Sequence, residues 1–367
     1  RLKKRTKKIL IGASLALCAV IAGSALLPST VADYRMDKQA DAYVQAQVEA
    51  ASLSANGSKA LDRIVLGDAN VDGTLSLVDV RTVLRGCSGI DAYSERQLMN
   101  TDFDRDGAVS LKEVRMILMG AADLEDLKAS VFGISGNAVT TDKAQIVAYC
   151  NLAATNVKLA RTGLTVDRAY YTKFAGGVEN PYGIFEFSKR NAFNNNADLN
   201  TLKNDTNEYT DTVPRVTIAP GETLVNSFPT YGAVYSTIPA DLVTNANLTN
   251  NGDGTYTAML TFAGESYTLP TTLDETSLGR VFPMLLTKSQ YREQLNSTDC
   301  AQYIDYITGV SCAYSDCTIT FKIDASTDTV FSAVYSMPYK LTNTMEIDGD
   351  AVTLDTDIRD IVTYTVG

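Results

Sequence analysis

Apolar positions change their spacing several times along this chain of 367 residues. Residues 9–27, ILIGASLALCAVIAGSALL, form one unbroken apolar run. The next stretch, YRMDKQADAYVQAQVEAASLSANG, is polar and rich in Ala and Gln, which predicts a helix fading at Asn56-Gly57. Two shorter segments then show helical spacing: Leu77, Val80, Val83 and Leu84 in one, Leu111, Val114, Ile117 and Leu118 in the other. Gly86 and Gly120 stand where each helix is expected to stop. A third helix is predicted by TTDKAQIVAYCNLAATNVKLAR, with a Thr/Asp start and apolar Ile146, Cys150, Ala153, Val157 and Ala160 on one face. Residues 187–214 hold seven asparagines and predict a long polar loop. Beyond it the spacing falls to two in TYTAMLTFAG, CTITFKID, TVFSAVYSM and DIVTYTV, which predicts strands with one buried face. SLGRVFPMLLTKSQYREQLN predicts one more helix.

The expected class is α+β: a small all-α module of paired loops, followed by helices packed on one face of a curved antiparallel sheet. The expected divisions are an export signal or membrane anchor over 1–32, a helical spacer over 33–60, the module over 61–125 and the sheet domain over 130–367.

The module is a duplication. Nine positions of the stretch 68–86 recur 34 residues later in 102–120, among them Asp68/Asp102, Asp72/Asp106, Gly73/Gly107, Ser76/Ser110 and Leu84/Leu118. Each copy fits a twelve-residue calcium loop, which takes oxygen donors at positions 1, 3, 5, 7 (a backbone carbonyl), 9 and 12 and a glycine at position 6. The first copy supplies Asp68, Asn70, Asp72, the carbonyl of Thr74, Ser76 and Asp79; the second supplies Asp102, Asp104, Asp106, the carbonyl of Ala108, Ser110 and Glu113. Acidic groups packed this tightly repel one another unless a cation lies between them, so two Ca2+ ions are expected, with metal affinity appearing as folding free energy. Leu75 and Val109, at position 8 of each loop, are placed to pack together. No clear helix precedes the first loop, so the pattern is loop–helix twice and not helix–loop–helix.

On these residues, the stretch 64–123 resembles a type I dockerin, the calcium-dependent module that secreted clostridial proteins use to dock onto cohesins. The resemblance implies a cohesin partner in a polysaccharide-degrading setting. It also implies that loop positions 10 and 11 and the exposed helix faces make the contact: Leu77, Val78, Arg81 and Arg85 in the first unit, Leu111, Lys112 and Arg115 in the second. Many dockerins carry small hydroxyl residues at positions 10 and 11, where this chain has Leu77-Val78 and Leu111-Lys112. For the arginines, a solvated helix face is the competing reading.

Charge and composition narrow the function further. Residues 1–32 hold six of the 32 Lys and Arg and none of the 43 Asp and Glu, so the rest is more acidic than the overall −11. That balance opposes nucleic-acid binding. The basic start, the apolar run of 9–27 and the small-residue site Thr30-Val31-Ala32 point to a secreted or cell-surface protein, cleaved after Ala32 or held by 9–27 as an anchor. Cys87, Cys150, Cys300, Cys312 and Cys317 follow; Cys312 can pair with Cys317, and either can pair with Cys300. With no histidine and no tryptophan there is no Ser–His–Asp triad and no imidazole ligand for a metal. Glu179, Glu186, Glu222, Glu265, Glu275 and Glu293 are available for carboxylate chemistry, and no pair stands out. A noncatalytic attachment protein is the leading expectation. A carbohydrate-active enzyme, or a membrane-anchored protein with the repeats as a rigid connector, are the alternatives. NNGDGTYT and IDGDAVT read as hairpin turns.

Overall fold

A computed structural model describes residues 33–51, 62–175, 208–225, 230, 233–268, 275–282, 287–289, 291, 307–347 and 350–367. The signal or anchor of 1–32 and Cys300 lie outside these residues. So do 187–207 of the expected Asn-rich loop and much of 283–306. Among the described residues no helix is long and apolar enough to cross a membrane.

The class is α+β. Among the described residues the main helices run α1 (Asp33–Ala50), α2 (Leu77–Cys87), α3 (Glu95–Thr101), α4 (Leu111–Ala121), α5 (Leu127–Phe132) and α6 (Lys143–Ala160). The strands among them follow: β1 (Leu164–Ala175), β2 (Glu208–Ile218), β3 (Val243–Asn250), β4 (Thr255–Phe262), β5 (Glu265–Thr268), β6 (Ile307–Tyr314), β7 (Thr318–Asp324), β8 (Thr329–Ile347) and β9 (Asp350–Val366). They form one antiparallel sheet ordered β2-β1-β9-β8-β7-β4-β3. Strand β8 is the spine. Its first half pairs with β7 and its second half with β6, so these two lie end to end along one edge, and β9 occupies the other.

The alternation in β4 and β7 has the expected cause. Tyr256, Ala258, Leu260 and Phe262 point inward with Ile319, Phe321 and Ile323, all at most 5 % exposed, while Thr257, Met259 and Thr261 face the other way. The inward face packs on α6, which starts at the Asp142 cap, where the Asp142 side chain accepts from Gln145 N at 2.9 Å. Sequence spacing predicts an amphipathic helix, but α6 is buried on most sides, because the segment after residue 230 covers its back. Asn151 Oδ1 accepts from Ile238 N (2.8 Å), Thr155 Oγ1 accepts from Ser236 N (2.8 Å), and Lys158 donates to the carbonyls of Thr230 and Ala233. Polar side chains on that face satisfy backbone groups of a connection that would otherwise be buried unpaired.

Three expectations change. The helix expected as a spacer is α1, and it lies against the sheet: Ala40, Tyr43, Val44 and Val48 pack on Ala169, Tyr171, Val334 and Ile361, and Arg359 pairs with Asp41 at 2.6 Å. These strand residues alternate with Arg168, Tyr335 and Val362 of the other face, so helices cover both faces of the sheet. Residues 208–214, within the expected loop, belong to β2, where pairing with β1 overrides the polar composition. The helix expected over 277–296 is not continuous: its described residues form a 3-10 turn at Leu278–Arg280, leave the helix at 281–282, and are helical again at 288, 289 and 291, where Tyr291 N donates to Thr287 O at 2.9 Å. The two expected hairpin turns join β3 to β4 and β8 to β9; residues 348–349 lie outside the described set. Cys312 and Cys317 are free, buried thiols, as is Cys150.

Arg168 and Asp360 form an ion pair on the core face, with Nε to Oδ1 at 2.9 Å and Nη2 to Oδ2 at 2.5 Å. The guanidinium lies 4.6 Å over the Tyr170 ring, and Asp360 is 2 % exposed. Removing one partner strands a buried charge. Asp360→Ala is expected to cost about 3–5 kcal/mol by urea unfolding, and Arg168→Leu combined with Asp360→Leu is expected to recover most of it. Burial also pushes the Lys158 ammonium down to about 8 from 10.5. Folding therefore disfavours its protonation, and stability should rise as pH climbs from about 8 towards 10.5. In Lys158→Met this alkaline increment is expected to vanish from the thermal-unfolding profile.

Candidate metal centre

Both loops are built from side-chain acceptors that bind their own backbone. In the first, Asp68 Oδ1 accepts from Asp72 N (3.1 Å) and its Oδ2 from Gly73 N (2.8 Å). Asp79 Oδ1 accepts from Asn70 N (3.0 Å), and its Oδ2 from Ser76 N (2.8 Å) and Ser76 Oγ (3.0 Å). The second repeats the scheme: Gly107 N donates to Asp102 Oδ2 (3.0 Å), Phe103 N and Asp104 N donate to Glu113 Oε1 (2.7 and 3.4 Å), and Ser110 N donates to Glu113 Oε2 (2.7 Å). Backbone angles repeat as well. Val71 and Arg105, at position 4, have φ of 60° and 62°, and Gly73 and Gly107, at position 6, have 89° and 90°. Only a residue without Cβ takes the latter without strain.

Ser76 and Ser110 each serve twice, as loop position 9 and as N-cap of α2 and α4, with Asp79 and Glu113 closing the capping boxes. The helices then pack through Val80 and Val83 against Val114 and Ile117, with Ala69, Val109 and the partly buried Leu75 in the same small core. The helices end at Cys87 and Ala121, one residue past Gly86 and Gly120 and close to where the sequence places their ends. The two glycines also allow close approach. A Cβ on Gly86 would lie 2.2 Å from the Tyr93 ring, and one on Gly120 2.7 Å from Leu127.

The oxygen donors differ between the copies. Carboxylate oxygens of Asp102, Asp104 and Asp106 lie within 4.8 Å of one another. Asp102 Oδ1 is buried and has no hydrogen-bond partner. Burial raises the Asp102 carboxyl above the ordinary range, opposed by the Gly107 N–H. A carboxylate with a buried, unpaired oxygen, grouped with two further carboxylates, fits a divalent cation with oxygen ligands. In the first loop Asn70 replaces one carboxylate, and its Nδ2 donates to Asp72 Oδ2 at 2.8 Å. Hydrogen bonds from Thr74 and Asn70 hold Asp72 below the usual carboxylate range. Asp68, Asp79, Asp102 and Glu113 are buried, whereas Asp72, Asp104 and Asp106 are exposed. Thr74 and Ala108 occupy position 7 on exposed turns.

The residues that the resemblance assigns to a partner sit outside this cluster on α2 and α4. Leu77, Val78 and Leu111 are more than half exposed, and Arg81, Lys112 and Arg115 are exposed as well. Arg85 is held within the chain by a two-point pair with Asp91, at 2.6 and 3.0 Å. Sequence spacing missed Asn100, which is fully buried and donates to Asp68 O at 2.6 Å while its own carbonyl accepts from Gly67 N at 2.7 Å. The duplication carried the signal, since Asn100 stands where the first unit has Leu66.

The two kinds of glycine should separate on mutation. Gly107→Ala meets no neighbouring atom, so its expected cost is the backbone strain alone, about 1–2 kcal/mol by thermal unfolding. Gly86→Ala is expected to cost more than that and to be relieved by Tyr93→Ser. Comparison of the chain with models of known protein families, with characterised proteins and with solved structures finds no match.

Proposed function

We propose that residues 64–123 are a dockerin-like module that binds two calcium ions and attaches the α+β body to a cohesin-type partner outside the cell. The observation that carries this reading is the repetition of one loop geometry, with the same backbone angles and the same N–H bonds onto positions 1 and 12, together with the buried, unpaired Asp102 Oδ1 of the second loop. Asp68, Asn70, Asp72, the Thr74 carbonyl, Ser76 and Asp79 would hold one ion. Asp102, Asp104, Asp106, the Ala108 carbonyl, Ser110 and Glu113 would hold the other. Bound calcium supplies the positive charge that turns repulsion among these groups into attraction. Attachment in a polysaccharide-degrading or cell-wall setting, without catalysis by this chain, is the role we assign.

Partner binding falls to the outer faces of α2 and α4. Leu77, Val78, Leu111, Leu84 and Leu118 give apolar surface, and Arg81, Lys112 and Arg115 give positive charge in an otherwise acidic chain. A second reading takes the repeats as a calcium-stabilised connector without a docking partner. Burial of Ile64 in the main core favours it, because that ties the module to the sheet.

Calorimetric titration of the full chain with calcium is expected to give two sites. Asp102→Ala should weaken one of them by tenfold or more and leave the other in place. A cohesin panel should retain the protein in calcium and release it in chelator. Failure of every cohesin at saturating calcium would leave the connector reading.

A further inference from the structure

Both ends of the paired-loop module are gripped by a single turn of the sheet. At the entrance, Ile64 is 5 % exposed, and its N–H donates to Asn156 Oδ1 of α6 at 2.7 Å. Asn156 Nδ2 donates onward to Asp328 O at 2.7 Å, and Arg63 reaches Ser326 O at 3.4 Å. At the exit, Lys128 donates to Ala325 O at 3.2 Å and to the Asp328 carboxylate, which also accepts from Tyr149 OH at 2.7 Å. The Lys128 ammonium lies 5.2 and 5.3 Å from the ring centroids of Tyr149 and Tyr256. Ala325, Ser326 and Asp328 all belong to the turn between β7 and β8. Asp324 shapes that turn by accepting from Ser326 N (2.9 Å), Ser326 Oγ (2.8 Å) and Thr327 Oγ1 (3.0 Å), and Asp328 adopts φ of 50°.

The path from the entrance anchor to the loops is short and tied by backbone bonds. Between Ile64 and Asp68, the first oxygen donor, Asp68 N binds Val65 O (3.2 Å) and Gly67 N binds Asn100 O (2.7 Å). Asn100 lies two residues before Asp102, so the first donors of both loops are fixed to one another. Packing follows the same line. A Cβ on Gly67 would stand 2.9 Å from Leu75, at loop position 8, and 3.1 Å from Leu127, which precedes the Lys128 anchor. A cleft of about 330 Å³ runs along the seam, lined by Ile64, Leu66, Leu75, Leu127, Leu152 and Asp328 among others.

We infer that calcium occupancy of the two loops controls the stability of the β7–β8 turn and of α6, through the Ile64–Asn156 and Lys128–Asp328 anchors. The inference rests on the calcium reading above. A cation that binds only the folded loops raises the free energy of every opening motion that must first release it. A freely tethered module would confine that effect to itself. Here the turn and α6 share hydrogen bonds with both of the module's ends, so the stabilisation passes into the sheet.

Hydrogen–deuterium exchange of the full chain, in saturating calcium and in chelator, tests this. Calcium is expected to slow exchange in the loops, 68–79 and 102–113, and also in 320–335 and 146–158, by about tenfold or more. Slowing confined to the loops overturns the coupling and leaves the calcium reading standing. No slowing in the loops removes both. Lys128→Met, with the milder Asp328→Asn as a second variant, loosens one anchor without touching an oxygen donor. Loop protection should persist in both variants while protection of 320–335 falls. Full protection of the turn in both would overturn the anchor assignment.

Discussion

Three or four carboxylates within twelve residues must be held close without driving the chain apart, and the module rests on how this is done. Each loop turns its own N–H groups onto the acids: position 6 donates to position 1, and positions 3 and 9 donate to position 12. The rest follows from that arrangement. Turning the backbone inward needs left-handed residues at positions 4 and 6, hence Val71, Arg105 and the two glycines. It also makes the acid at position 12 the capping-box partner of the helix that follows, so the site and the helix start share atoms. The direction of α2 and α4, and so the burial of Val80, Val83, Val114 and Ile117, is set by the same carboxylates that would hold the metal.

These loops are legible in the sequence because the backbone N–H bonds to the acids at positions 1 and 12 span ten residues or fewer, and because the pattern recurs. The strands β4 and β7 are legible for a related reason, having one buried and one open face. Strand β1 is not. Arg168 and Tyr170 sit on its core face, while Ala169 and Tyr171 lie under α1, so neither face is uniformly polar and the alternation is lost. The seam between module and sheet is invisible to local pattern altogether. Ile64 and Asn156 are 92 positions apart, and Lys128 and Asp328 are 200 apart. A lone lysine in the first turn of a short helix looks like solvated surface until the turn that receives it is in place. The same holds for α1, whose sparse apolar positions, Tyr43, Val44 and Val48, suggest a spacer in isolation.

Glycine shows how one residue type carries two messages. Gly73 and Gly107 stand in open space and are required by their angles alone. Gly86 and Gly120 have ordinary helical angles and are required by the side chains against them, Tyr93 and Leu127. At the end of an apolar helical run the second kind resembles a stop signal. The distinction lies in partners that sequence spacing does not place.

The duplication is imperfect where it matters for recognition. Both helices spend their only acid, Asp79 or Glu113, inside a loop, which leaves their outer faces apolar and cationic. Leu77 matches Leu111, Arg81 matches Arg115 and Leu84 matches Leu118, so a partner reading these alone would accept either face. Around them the copies diverge. Val78 becomes Lys112, and the Arg85–Asp91 pair becomes Met119 and Glu125, with Glu125 accepting from Ser130 at 2.9 Å instead. The first face therefore has its outer cation neutralised within the chain, whereas the second carries an unmatched lysine beside its leucine. A partner with an acidic group near loop position 11 would distinguish the two faces, and a partner relying on apolar contact alone would not. If the outer faces dock a partner as proposed, these differences between the two faces are what would set the orientation of the attached body.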